Sequence, residues 1–254
     1  MNRRRVIPVL TIENDKLVKT VKFKKPNYIG DPVNAVKIFN EKEVDEIVLL
    51  DISATKNRQE PNYEKIEEIC SEAFMPFAYG GGIKTLDQID KIFGLGIEKV
   101  ILNSVLNEDI KLVQKATEIY GEQSIVASLD VKKSKFGKYS FYTHSGKKRV
   151  REGFDIYLKK VLDSGVGEVI LTSINKDGTF DGYDLQLIKR ISAIAEVPLV
   201  ANGGASDLNS LKEALVHGAS ATAAGSFFVY RGKTKGILIS YPTQDDLINQ
   251  VFTD

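Results

Sequence analysis

A single (β/α)8 barrel is the architecture expected of this 254-residue chain. Three observations lead to it. The length suits one barrel of about 250 residues better than two separate cores. Eight short apolar runs alternate with amphipathic segments, as a parallel sheet built from βαβ units requires. Residues 76–104, PFAYGGGIKTLDQIDKIFGLGIEKVILNS, are written again at 198–226 as PLVANGGASDLNSLKEALVHGASATAAGS. Gly82 aligns with Gly204, Leu86 with Leu208, Gly96 with Gly218 and Ser104 with Ser226, each at an offset of 122 without a gap. A barrel with a two-fold internal repeat follows, its halves at about 1–122 and 123–254.

The eight strands are expected at 6–10, 46–51, 77–80, 99–102, 125–130, 168–172, 199–202 and 221–224. Helices fit between them, for example at 32–40, 109–120 and 207–217. The last opens with Ser206 or Asp207 as its cap and closes on Gly218. An open doubly wound sheet is the alternative. Eight units with half-chain symmetry close more naturally on themselves, and the glycine pairs lack the full G-x-G-x-x-G spacing of dinucleotide folds.

Two connections exceed simple turns, and both follow strands, so in a barrel both lie on the catalytic face. The first, 12–31, carries Lys16, Lys19, Lys22, Lys24 and Lys25, positive charge that could meet phosphates if it folds over the mouth. The second, an insertion at about 131–149 within 131–153, reads as a β-hairpin (KKSKFGKYSFYTH) followed by SGKKRVR. Both are candidate lids; the bland alternative is a solvated basic loop.

Lys plus Arg number 35 against 34 Asp plus Glu, so no field of one sign covers the whole chain and nucleic acid is not the expected partner. Cys70 stands alone, which excludes an internal disulfide and fits a reducing compartment. The opening MNRRRVIPVL lacks the apolar run of a signal peptide, and no run approaches the ~18 apolar residues of a membrane span. A cytoplasmic protein is the expectation. His144 and His217 lie far apart without a metal-ligand pattern, so neither a metal nor another cofactor is expected.

Gly80, Gly81 and Gly82 follow the third strand and precede a helix, where backbone N–H groups and the positive end of a helix dipole suit a phosphate. Gly203 and Gly204 repeat the arrangement after the seventh strand. Asn103 with Ser104, and Gly225 with Ser226, add donors after the fourth and eighth. Glycines could merely permit tight turns, but paired recurrence points to two phosphate sites and so to a bisphosphate ligand. Asp130 closes the fifth strand in SIVASLD, a position where a barrel carboxylate reads as catalytic.

These residues resemble the cyclase subunit family of imidazole glycerol phosphate synthase, a histidine-biosynthesis barrel with two phosphate sites. The resemblance covers nearly the whole chain. It is carried by RVIPVL at 5–10, LVK at 17–19, GDP at 30–32, LLDI at 49–52, GGGI at 80–83, SLD at 128–130, SGKK at 145–148, LTSINKDGTFDGYD at 171–184 and ANGGA at 201–205. It implies a subunit that takes ammonia from a glutaminase docked on the N-terminal face of the barrel and uses it to cleave and cyclise a bisphosphate.

By the same resemblance, Gly81, Gly82, Asn103 and Ser104 hold one phosphate, and Asp177, Gly178, Gly203, Gly204, Gly225 and Ser226 the other. Lys19, Asp51, Ser145 and Thr172 stand around the ligand, although an aspartate at a strand end can also cap the next turn. Arg5, Glu46, Lys99 and Glu168 form an ammonia gate, with Glu46 and Glu168 again 122 apart.

Two features depart from the family. Its strand-one pattern I-P-C-L-D, which ends on the second catalytic aspartate, here reads Ile7-Pro8-Val9-Leu10-Thr11. A threonine hydroxyl hydrogen-bonds a ligand but is a very poor proton exchanger near neutral pH. After the eighth strand the chain reads FFVYRGKTKGILISYP. Both departures resemble a paralogous branch that serves surface-polysaccharide amidotransferases, passing ammonia toward an enzyme that makes acetamidino sugars. Two functions stay open: a non-cyclising ammonia conduit, which is preferred, and a cyclase with Asp130 as acid or base and Thr11 tolerated.

Overall fold

β-branched and leucine-rich runs set the frame of the barrel. The computed structural model describes residues 4–232 and 234–253; positions 1–3, 233 and 254 of the expected 1–254 span lie outside the described residues. The barrel strands are β1 Arg5–Glu13, β2 Ile47–Asp51, β3 Phe77–Gly80, β4 Lys99–Leu102, β5 Ile125–Lys133, β6 Glu168–Ser173, β7 Leu199–Asn202 and β8 Ala221–Ala224. Each pairs in parallel with the next, and β8 returns to β1 through Ile7↔Ala223, so the sheet has no edge in the barrel wall.

Alternation along the strands separates two cores. Ile7, Val9, Val48, Ala78, Ile101, Val126, Ile170, Val200, Ala221 and Ala223 fill the barrel interior. Their neighbours Val6, Leu10, Leu49, Tyr79, Leu102, Leu129 and Leu171 face the helices. Burial on both faces explains why the strands read as unbroken apolar runs.

The helices packed outside are α1 Pro32–Glu41, α2 Tyr63–Cys70, α3 Leu86–Gly94, α4 Ile110–Tyr120, α5 Phe154–Leu162, α6 Leu185–Ser192 and α7 Leu208–Val216. Their starts are written locally. Asp31, Asn62, Asp109 and Asp184 each accept a backbone N–H three residues on, and Pro32 sits where a helix has no use for its own N–H. Cys70 ends α2, half-buried, and burial pushes its thiol up to about 12.

Beyond the barrel, β1 continues into an antiparallel ribbon with strands Lys16–Val21 and Lys24–Gly30. β5 continues into a hairpin with Tyr139–Thr143, which in turn pairs with Lys148–Arg149. The first long connection is therefore ordered strand, where sequence reading left only a long connection. The chain ends in a short hairpin, Tyr230–Arg231 with Gly236–Ile237, and a final helical segment, 244–251. Tyr241 from this tail donates to the Val6 carbonyl at 2.7 Å, tying it back to β1.

Candidate functional site

At the N-terminal ends of the strands, two carboxylates and two cations form a closed ring. Lys99 Nζ lies 2.9 Å from Glu46 Oε1 and 2.8 Å from Glu168 Oε2. Arg5 donates one guanidinium nitrogen to each of the same carboxylates. Burial works against the Arg5 charge, but Glu168 and Glu46 outweigh it and hold the guanidinium above its ordinary value. Each carboxylate meets both cations, so the four residues read from sequence occupy one ring across the barrel floor.

At the opposite ends, a cavity of about 1170 Å³, including the part open to solvent, is lined by Thr11, Lys19, Asp51, Gly81, Gly82, Asn103, Ser104, Asp130, Ser145, Thr172, Asp177, Gly225 and Ser226. A smaller recess adjoins it, bounded by Asp177, Gly178, Gly203, Gly204, Gly225 and Ser226. All the ligand-facing positions expected from sequence thus gather at one mouth.

Asp130 occupies its centre. Asn103 Nδ2 donates to Asp130 Oδ2 at 3.2 Å and to the Ser128 carbonyl at 2.9 Å, fixing the carboxyl relative to the strand end. Burial, reinforced by the charge of Asp177 and opposed by Asn103, pushes Asp130 up to about 7. A carboxyl there is close to half-protonated at neutral pH and can give or take a proton. Thr11 lines the same cavity from β1, in register with Leu50, and brings no second carboxylate.

Lys19 is the one lysine of the first ribbon that turns inward. Its ammonium donates to the Val9 carbonyl and packs over Gly225, where a Cβ would collide with Nζ. Burial lowers it to about 8, against the pull of Asp177. Lys16, Lys22, Lys24 and Lys25 are exposed, so for these four the alternative of a solvated basic loop describes the structure. A ribbon has two faces, and alternation spends most of its lysines on solvent.

Asp177 holds that ribbon. Its carboxylate accepts from Thr20 Oγ1 at 3.0 Å and from the Phe23 amide at 3.2 Å, while its carbonyl accepts from the Lys22 amide at 2.9 Å. Burial raises its pKa, these donors and Lys19 only partly offsetting it. Asp51 Oδ1 accepts from the Ser53 amide at 2.7 Å, the Ser53 hydroxyl at 2.6 Å and the Ala54 amide at 3.1 Å, so the turn-capping reading describes that oxygen. Ser145 reaches across from the β5 hairpin toward the Ile52 carbonyl, and His144 donates its amide to Ser104 Oγ at 3.3 Å.

The glycine turns adopt the expected left-handed backbone: Gly82 has φ 73° and Gly204 φ 112°. α3 opens with the Thr85/Gln88 capping box and α7 with Asp207/Ser210, so the N-cap and third-position amides of both are already engaged. Helix starts without a side-chain cap include α5 after Gly153 as well as the short ones after β4 and β8, Ser104–Glu108 and Ser226–Val229, again 122 apart. Sequence reading found the first residues of the short pair but not the helices, which are too short to show a period.

Thr20, Phe23, Thr55, Ser128 and Asn202 also line the mouth and were missed. Ser128 was recoverable, since it stands two residues before Asp130 on the same strand face. Asn202, whose amide reaches Thr172 Oγ1 at 3.1 Å, ends β7 as Gly80 ends β3. His144, which shows no metal-ligand pattern in sequence, is half-buried with Glu108 3.2 Å away.

A (β/α)8 barrel with its polar machinery at the C-terminal mouth, duplicated about the barrel axis, is the class that this geometry defines. The chain belongs to the histidine biosynthesis protein family, whose model matches residues 5–235. It is 46% identical over 248 residues, 97% of this chain and 99% of the other, to a Pseudomonas aeruginosa protein named "Putative imidazole glycerol phosphate synthase subunit hisF2". A Vibrio vulnificus protein named in the same way, as subunit hisF3, is 46% identical over 252 residues, 97% of this chain and 95% of its own. "Imidazole glycerol phosphate synthase subunit HisF" of Endomicrobium trichonymphae is 38% identical over 232 residues, covering 91% and 88%.

Proposed function

We propose that this chain is the barrel subunit of a glutamine-dependent complex of the imidazole glycerol phosphate synthase type, conducting ammonia from a glutaminase partner while lacking effective cyclase chemistry. The observation that carries the reading is Thr11. Cleaving and cyclising the bisphosphate needs an acid and a base on the reacting intermediate, and Asp130, near 7, supplies one. β1 offers a hydroxyl where the other should stand, and a hydroxyl does not exchange protons near neutral pH.

Ammonia enters at the floor. The Arg5, Glu46, Lys99 and Glu168 ring closes that entrance in the unpartnered chain, and a docked glutaminase opens it by drawing one cation aside. The interior beyond is apolar and partly small, with Ala78, Ala221 and Ala223, so neutral ammonia passes and ammonium is excluded by desolvation. At the mouth, the Gly82/Ser104 and Gly204/Ser226 sites bind a phosphorylated ligand. The downstream acceptor is a sugar amidotransferase of surface-polysaccharide synthesis, acting in the cytoplasm.

A second reading, a working cyclase, draws on Lys19. Its ammonium, buried at the mouth and lowered to about 8, is a proton carrier that could replace the missing carboxylate. The test is a mixture of this chain, its glutaminase and glutamine with the bisphosphate substrate. Glutamine hydrolysis without imidazole glycerol phosphate is expected; formation of that product by the unmodified pair overturns the conduit reading.

A further inference from the structure

The catalytic face carries its charge very unevenly. Residues 16–30 contain five lysines and residues 131–151 eight lysines and arginines, and neither stretch contains an aspartate or glutamate. Those thirteen cations sit in a chain whose net charge is +1. The two stretches are the strand extensions that rise beyond the mouth, and they meet there: a Cβ on Gly146 would lie 3.0 Å from the Phe23 ring. Their basic faces therefore form one roof. Lys19 alone is used inside the site, and Glu108, against His144 and Lys148, supplies local compensation.

Charge of this kind could merely draw in a phosphorylated ligand, but the roof also presents apolar groups that steering does not need. Phe136, at the tip of the β5 hairpin, is 98% exposed. It is held out by an ordered turn: Gly137 donates to the Ser134 carbonyl at 3.0 Å, Ser134 to the Lys138 carbonyl at 2.9 Å, and the Lys138 amide to Ser134 Oγ at 3.1 Å. On the same face the C-terminal hairpin exposes Ile237 and Leu238, at 54% and 59%. Lys235 of that hairpin stands over the Phe180 ring, 5.1 Å from its centroid, at the rim of the smaller recess. Rigid aromatic and aliphatic anchors ringed by cations are the composition of a protein-binding surface, with apolar contacts supplying affinity and charge setting approach and choice of partner.

We propose that this roof, the β5 hairpin tip together with the C-terminal hairpin, docks the ammonia-accepting enzyme through an acidic rim around that enzyme's acceptor site. The proposal rests on the conduit reading. If ammonia is not consumed at the mouth, it must cross to a second protein without meeting water, which would protonate it, and the mouth must then be covered. A partner with an acidic rim complements the twelve cations left outside the site and brings its own opening over the cavity.

The test places the photo-crosslinking residue p-benzoylphenylalanine at Phe136, at Ile237 and, as a control on the barrel flank, at Ile156 of the full chain in its native cells. Adducts are identified by mass spectrometry. One and the same protein crosslinked from 136 and 237 but not from 156 is expected, with purified protein bound at least tenfold more weakly by the Lys135→Glu/Lys138→Glu variant. Adducts only to lipid or nucleic acid, no adduct at either position, or a partner indifferent to the charge reversal each overturn the proposal. Cyclase turnover by the unmodified chain would instead refute the conduit reading and leaves the crosslinking result to stand separately.

Discussion

Asp130 and Thr11 concentrate the functional question in two side chains. Asp130 stays protonated in the folded chain up to about pH 7, whereas in the unfolded chain it ionises near ~4. The folded state holds the extra proton between those values, so the contribution of this group to stability is complete below pH ~4, falls as pH rises and is lost above 7. Asp130→Asn removes the buried charge. It should leave stability nearly unchanged at pH 4 and raise it by about 2 kcal/mol at pH 8, read by denaturant unfolding. An equal effect at both pH values would contradict the buried, neutral carboxyl. The place of Asp130 at the mouth was legible because it closes a barrel strand; the inward turn of Lys19 among five similar lysines was not, because sequence does not say which ribbon face meets the mouth.

Among the elements, the first ribbon depends on Asp177. Removing that carboxylate in Asp177→Ala leaves the Phe23 amide and the Thr20 hydroxyl without their acceptor, at a cost of about 1–2 kcal/mol. Amide exchange at Phe23 should quicken by roughly tenfold while amides in β3 and β4 keep their rates. Unchanged exchange at Phe23 would mean that strand pairing alone holds the ribbon. The element plan was readable: eight runs, three quoted helices and the β5 hairpin fall where period and turn residues put them. What escaped was short or depends on distant parts, such as the uncapped helices Ser104–Glu108 and Ser226–Val229 and the anchoring of the ribbon 157 positions away in sequence. Local pattern carries little of either.

Over the whole molecule, the offset of 122 makes a quantitative demand. Two equivalent half-barrels should bind two inorganic phosphates per chain, one beside Ser104 and one beside Ser226. Calorimetric titration should find two sites, reduced to one by Ser104→Asp or by Ser226→Asp, since a carboxylate there repels the anion. Loss of both sites from a single substitution would contradict independent halves. The same symmetry is why the break at strand one stands out, since Asp130 answers to a threonine and not to another acid.

The most direct test of that break is ammonia-dependent conversion of the bisphosphate to imidazole glycerol phosphate at saturating ammonium, comparing the chain with its Thr11→Asp variant. The account predicts no measurable product from the original and restored turnover in Thr11→Asp, a site disarmed at one carboxylate. Turnover by the original chain at a rate that Thr11→Asp does not raise would contradict it.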